Sequence, residues 1–181
     1  MSVEGDEPQQ VPVHIDPLEF RRVMGQFATG VAVISTIHAG EMRGMTANAF
    51  MSGSLEPPLC VVSIAKRARM HGLISETRRF VVNVLAHHQS EVAIHFSGRP
   101  SPRAIIDLGW IHGLPMLRDA LAHMAADVVA EHECGDHTLF VGQLFHIDAG
   151  KFGQPLLYHQ SRFASLLHSK QDQAITVPEF W

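Results

Sequence analysis

Apolar residues recur along this chain with two different periods, and the change from one to the other marks out its elements. Phe20, Val23, Met24 and Phe27 fall at helical spacing. They follow Asp16, Pro17 and Glu19, which read as an N-cap, a first-position proline and an early acid, and Gly30 is expected to end the helix. Residues 31–37 (VAVISTI) are rich in β-branched side chains and read as a strand. The turn at 38–41 returns the chain into a second strand over 42–50, completing a hairpin. Residues 59–64 (LCVVSI) form a short apolar strand expected to be buried on both sides. A loop and short helix over 66–76 lead to a strand at 79–85 and a helix at 89–96 carrying Val92, Ala93 and Phe96. The stretch 97–114 is rich in Gly, Pro and Arg and is expected to be irregular. A long strand over 122–133, a turn at Gly135 and Asp136, and a partner strand over 137–148 make a second hairpin. Residues 155–159 form a last short strand.

About six strands joined mostly by hairpins imply a mainly β, antiparallel sheet with short helices at its rim, an arrangement that commonly closes into a barrel. No strand is followed by a Gly-x-Gly-x-x-Gly turn, which argues against a Rossmann domain. The pattern describes one domain over 15–168, between a polar N-terminal tail (1–14) and a C-terminal tail (169–181).

With 46% hydrophobic residues in 181, the chain can bury a sizeable core. Its net charge of -4 lacks the basic face that phosphate backbones require, so a nucleic-acid partner is not expected. No segment approaches the roughly 20 apolar residues of a membrane span. The N-terminus lacks the basic and apolar regions of a signal peptide, and cytoplasmic residence is the simplest expectation. Cys60 and Cys134 do not form a disulfide framework.

Thirteen histidines raise the question of a metal. His132 and His137 are five residues apart, one more than the zincin motif needs to put two histidines on one helical face. Scattered surface or hydrogen-bonded histidines account for most of the rest, so no metal is expected, and only the context of His137 singles it out.

The most suggestive segment is 44–58 (GMTANAFMSGSLEPP), read as a strand running into a polar loop closed by two prolines. It presents Thr46, Asn48, Ser52 and Ser54, hydroxyls and an amide with almost no charge. Such groups suit the edge of a flat neutral heterocycle and a phosphate held by hydroxyls and backbone N–H groups. Strand-end and turn chemistry alone would explain Gly53, Pro57 and Pro58, but less well the alternating polar residues.

Five collinear blocks then resemble the short-chain flavin reductases, the reductase components of two-component flavin monooxygenases. They are 27–31 (FATGV), 44–50 with 54–58, 79–85 (RFVVNVL), 135–142 (GDHTLFVG), and 155–158 (PLLY) with Arg162. The resemblance covers about residues 16–167. It implies an FMN-binding split β-barrel that binds FMN or FAD, forms a homodimer, and reduces flavin with NADH or NADPH for a partner monooxygenase.

By the same resemblance, Thr46, Ala47, Asn48, Ala49, Phe50, Met51, Ser52, Ser54 and Leu55 line the flavin. Lys66, Arg69, Met70 and His71 fall at its phosphate region, although solvated surface charge explains Lys66 and Arg69 equally well. His95, Phe96 and Ser97 align with a further flavin contact, with plain core packing open for Phe96. His137 corresponds to a histidine that faces the flavin from the nicotinamide side, and is the expected catalytic residue; its role would be holding nicotinamide or stabilising charge on reduced flavin. Tyr158, His159, Gln160, Ser161 and Arg162 correspond to the nicotinamide nucleotide contact, Arg162 on its pyrophosphate, while a core tyrosine is the simpler account of Tyr158. Ala49 and Met51 stand where the family often has Ser and Thr. Losing two hydroxyls, at about 1 kcal/mol each, implies roughly tenfold or weaker flavin binding, as suits a flavin that comes and goes as substrate. Alternatives of another class are a flavin-binding protein without turnover and a histidine-based metal protein.

Overall fold

Apolar side chains at alternate positions of seven strands converge on one interior. The computed structural model describes residues 14–150 and 153–166, so the expected tails fall outside the described residues except for His14. The strands are β2 (Ala32–His38), β3 (Glu41–Ala47), β4 (Phe50–Ser54), β5 (Leu59–Ala65), β6 (Arg79–Val84), β9 (Ala122–Cys134) and β10 (His137–Ala149). They form one sheet in the order β3-β2-β6-β9-β10-β5-β4, antiparallel throughout.

The edges of this sheet, β3 and β4, are separated in sequence only by Asn48 and Ala49. Two residues cannot bridge the width of a flat seven-stranded sheet, whose neighbours lie about 4.8 Å apart. The sheet must therefore curl until its edges meet at one corner. A single core cluster confirms the curl, because it takes Ile34, Met45, Phe50, Val62, Phe80, Ala126 and Phe140 from all seven strands. Helix α2 (Arg69–Thr77) plugs the interior with Met70 and Ile74. The result is a mainly β, barrel-like sheet, open along the β3/β4 seam, consistent with the expected split barrel.

β2 and β6 are buried on both faces. On the outer side, Val33 of β2 and the flanking residues Val31 and Leu85 pack with Val92 and Ala93 of helix α3 (Ser90–Phe96). Beside them Val81 packs under the hairpin of β7 (Leu108–Ile111) and β8 (Leu114–Leu117). Buried Asn83 pins these layers, donating to Val33 O at 2.9 Å and Ser35 Oγ at 3.0 Å and accepting from Leu117 N at 2.8 Å. A small second sheet joins β1 (Thr29–Gly30), β11 (Leu157–His159) and β12 (Arg162–Ala164) in the order β1-β11-β12.

The structure departs from the sequence reading at several points. Helix α1 (Pro17–Met24) begins at the Asp16 cap as expected but stops at Gly25, whose N–H returns to Arg21 O at 2.9 Å; Gly30 instead lies in β1. The strand expected over 42–50 breaks at Asn48, and the loop expected to contain Ser52 and Ser54 is strand β4, bulged at Gly53. β5 buries only Cys60, Val62 and Ile64, one face rather than two. The irregular stretch 97–114 contains β7.

Candidate functional site

The corner where the two sheet edges meet is surrounded by concave surface. On one side of β3, a cavity of about 600 Å³ is walled by Thr46, Ala47 and Asn48 from β3 and its end, Ile94, Ser97 and Arg99 from α3 and the following loop, and Tyr158, Ser161 and Phe163 from the β11–β12 hairpin. Ala47 and Asn48 also line a second cavity of about 660 Å³, with Ala49, Phe50, Met51, Phe27, Val61, Ser63 and Leu139 among its walls. Ser97 also lines a third, of about 770 Å³, with Arg43, Gly44, Arg69, Met70 and Phe96. Shared walls make these three cavities neighbours around β3.

Local contacts explain why the walls stand where they do. A side chain at Gly44 would come within 2.7 Å of the Phe96 ring, so glycine lets α3 lie directly on β3. Thr46 Oγ1 then donates to Ala93 O at 2.6 Å, fastening strand to helix. Asn48 Nδ2 donates to Thr29 Oγ1 at 3.3 Å, and Thr29 is the register partner of Tyr158. The β11–β12 turn uses positive φ at Gln160 and Ser161, and Gln160 N donates to Gly25 O at 2.9 Å. The segments 27–31, 44–50 and 155–158 are thus drawn together, while 79–85 and 135–142 supply the central strands β6 and β10.

The site residues expected from sequence divide accordingly. Thr46, Ala47, Asn48, Ser97, Tyr158 and Ser161 meet in the first cavity. Ala49, Phe50 and Met51 line the second, and Arg69, Met70 and Phe96 the third. The others do not line these cavities. Ser52 lies exposed and Ser54 half-buried on edge strand β4, with Leu55 exposed just after it. Lys66 pairs with Glu133 at 3.4 Å. His71 puts Nε2 2.8 Å from Thr138 Oγ1 and its edge against Phe140, a contact that belongs to the barrel core. His95 Nδ1 accepts from Ser101 N at 3.3 Å, folding the loop after α3 back on the helix. His159 and Arg162 lie off the first cavity, Arg162 between two residues that line it, as alternation in β12 requires.

His137 sits at the tip of the β9–β10 hairpin, its Nδ1 2.8 Å from Asp136 Oδ1. This hydrogen bond, and then the imidazole's charge, hold the Asp136 carboxyl below the ordinary carboxylate range. His137 shares a face of β10 with Leu139, which lines the second cavity. Burial pushes the Cys60 thiol up to about 11, which leaves it inert as a nucleophile. Among the described residues, no group of three or more His, Cys, Asp or Glu side chains could hold a metal ion. No helix among them is long and apolar enough to cross a membrane. Sequence reasoning missed Arg99 and Phe163; neither falls in a motif or a long periodic run.

The donor set of the first cavity is neutral apart from Arg99, mixing hydroxyls and an amide with aromatic and aliphatic wall. That chemistry fits a planar heterocycle with a polar edge. A family model described as "Flavin reductase like domain" matches residues 24–167. An NADH-dependent flavin reductase from a Rhodococcus species is 42% identical over 158 residues, spanning 84% of this chain and 88% of the relative. The NADH-dependent flavin reductase StyB of Pseudomonas fluorescens is 39% identical, spanning 86% of this chain and 93% of StyB. Among solved structures, the flavin reductase PheA2 superposes with a TM-score of 0.81 at 39% identity, over 85% of this chain and 100% of PheA2. The chain belongs to the flavin reductase-like domain family.

Proposed function

We propose that this protein is an NADH-dependent flavin reductase that passes reduced flavin to a separate monooxygenase. The observation that carries the reading is the corner between β3 and β4, where neutral hydroxyl, amide and aromatic groups from segments far apart in sequence surround adjoining cavities. Relatives named as NADH-dependent flavin reductases, and as the reductase component of 4-hydroxyphenylacetate 3-monooxygenase from Thermus thermophilus, support both the activity and the partner class. A bound flavin would supply the hydride-accepting ring, and NADH the hydride.

The residues of this chain do the work of placement. Hydride transfer needs no general base, and fixing donor and acceptor in contact supplies most of the rate. Thr46, held by Ala93, and Asn48, held by Thr29, form a stiff wall along one side of the first cavity. Tyr158, braced at 6.0 Å by the ring of Phe163, offers a flat aromatic wall for nicotinamide or flavin. Ala49 and Met51 leave backbone groups rather than hydroxyls to meet the flavin edge. His137, oriented by Asp136, is assigned to stabilising the negative charge of reduced flavin beside the second cavity. We further assign a homodimer, supported by apolar residues exposed around the second cavity, and residence in the cytoplasm, where NADH is available.

The test follows NADH and NADPH oxidation by absorbance with FMN, FAD or riboflavin added. Flavin-dependent oxidation of NADH is expected. Its absence with every flavin and both nucleotides overturns the proposal; a protein that stays yellow through dialysis yet ignores both nucleotides would be a binding protein instead.

A further inference from the structure

The first cavity contains one charged side chain, Arg99, among neutral hydroxyl and amide groups. Thr46 has given its hydroxyl proton to Ala93 O at 2.6 Å, and Ser97 has given its own to Ile94 O at 2.7 Å. A hydroxyl whose proton is committed can only accept, so both present lone pairs to the cavity. Arg22, Arg43, Arg78, Arg79 and Arg118 are held in ion pairs with carboxylates. Arg99 makes no hydrogen bond or ion pair among the described residues; Arg69 and Arg162 make none either, but neither lines this cavity, Arg69 standing in the third cavity and Arg162 off the first.

The backbone around Arg99 is held to a narrow range. Gly98 turns the chain with φ +90, and Pro100 restricts Arg99 itself to extended conformations. Two residues on, Ser101 is tied to α3 twice, its N–H to His95 Nδ1 at 3.3 Å and its hydroxyl to Glu91 Oε2 at 2.6 Å. The second bond also engages the nearby acid. An unpaired guanidinium on an anchored loop, the one charged group lining a cavity whose other donors are neutral, is arranged for an external anion.

We propose that Arg99 is the phosphate-binding residue of this cavity, its guanidinium receiving a phosphate group of the nucleotide bound there. The inference rests on reading the cavity as a nucleotide site. It moves the anion contact from Arg162, which lies off the cavity, to a residue in a stretch without a motif. The phosphate could belong to the flavin or to the nicotinamide dinucleotide, and the experiment separates them.

Equilibrium dissociation constants of the full chain, wild type and Arg99→Gln, are compared for FMN against riboflavin and for NADH against reduced nicotinamide riboside. FMN and riboflavin differ by one phosphate; NADH and reduced nicotinamide riboside differ by the pyrophosphate together with the adenosine, so reduced nicotinamide mononucleotide is measured beside them to isolate the phosphate. Losing a charge-assisted contact is expected to weaken one phosphate-bearing ligand by about 10- to 100-fold and leave its phosphate-free counterpart within twofold. Arg99→Lys should retain part of the affinity, and Arg103→Gln, on the same loop but off the cavity, all of it. Weakened FMN identifies the flavin phosphate; weakened NADH identifies the dinucleotide. Unchanged affinity for both, or equal losses with and without phosphate, overturns the assignment. Because these are binding measurements, they remain readable if the wild type fails to oxidise NADH, an outcome that would count against the reductase reading alone.

Discussion

Thr46 has two tasks at one atom. Its hydroxyl closes the α3–β3 contact through Ala93 O at 2.6 Å, and the same residue walls the first cavity. Thr46→Val keeps the shape but leaves a carbonyl unpaired at a half-buried place. A loss of about 1 kcal/mol in urea unfolding is expected, together with weaker flavin binding as α3 loosens; unchanged stability would show that water replaces the hydroxyl. The cysteines provide a second check. Cys134 is exposed and Cys60 buried, with its thiol pushed up to about 11. One thiol per native chain should react quickly with a disulfide reagent at neutral pH, and two after denaturation. Because the folded pKa of Cys60 lies above its ordinary value, the unfolded chain loses that proton first. This contribution to stability is full below about pH 9 and declines as pH rises toward 11. At this scale the sequence was legible where a residue's own chemistry restricts its use, as with Asp16 at a helix start or Thr46 and Asn48 alternating with apolar Met45, Ala47 and Ala49. It was not legible for Arg99, whose role depends on which neighbours have already spent their protons, a property of the fold.

Two glycines set how closely elements pack, and they do so with different margins. A Cβ at Gly142 of β10 would lie 2.6 Å from the Phe80 ring and 2.8 Å from Ala126 Cβ, both fully buried in the barrel. A Cβ at Gly44 of β3 would lie 2.7 Å from the ring of Phe96, which is only half-buried and can swing toward the third cavity. Overpacking typically costs about 1–3 kcal/mol. Gly142→Ala should fall at the upper end of that range and Gly44→Ala at the lower, measured by the same denaturation. Gly44→Ala should in addition alter flavin affinity. The reverse order would mean that the barrel interior yields more easily than α3. Element legibility followed length. β9 and β10, with 13 residues each, and the Gly135 turn at φ +58 are plain in the sequence. β1, β7, β8 and β12 have between two and four residues, too few for alternation to register, whereas β11 falls within the short strand expected over 155–159. β4 was hidden because Ser52, Gly53 and Ser54 are turn residues, and only pairing with β5 makes them a strand.

The curl of the sheet, which no local pattern announces, has consequences for the whole molecule. It brings Asn48 and Ala49 to a corner and leaves beside them an apolar concavity that the described residues do not fill. Phe27, Met51 and Met24 around it are 74%, 61% and 55% exposed, and α1 buries none of its residues although Phe20, Val23 and Met24 share a face. Contiguous apolar surface of this kind is poorly tolerated by a monomer in water. A second copy of the chain would meet the need, since a two-fold interface pairs one self-complementary patch with itself. The cover would also lie over Ala47 and Asn48, which wall both this concavity and the first cavity, so assembly and flavin binding should be linked. Sedimentation is expected to give twice the 20.0 kDa mass of one chain. Phe27→Asp combined with Met51→Glu places charges in the patch and should shift the protein to single chains with a circular-dichroism spectrum like the wild type. Flavin affinity should fall in step with dissociation and recover at protein concentrations that restore the dimer. If the double variant sediments as the wild type does, the contact lies elsewhere on the molecule. A single-chain variant that binds flavin normally would show that each site is complete in one copy.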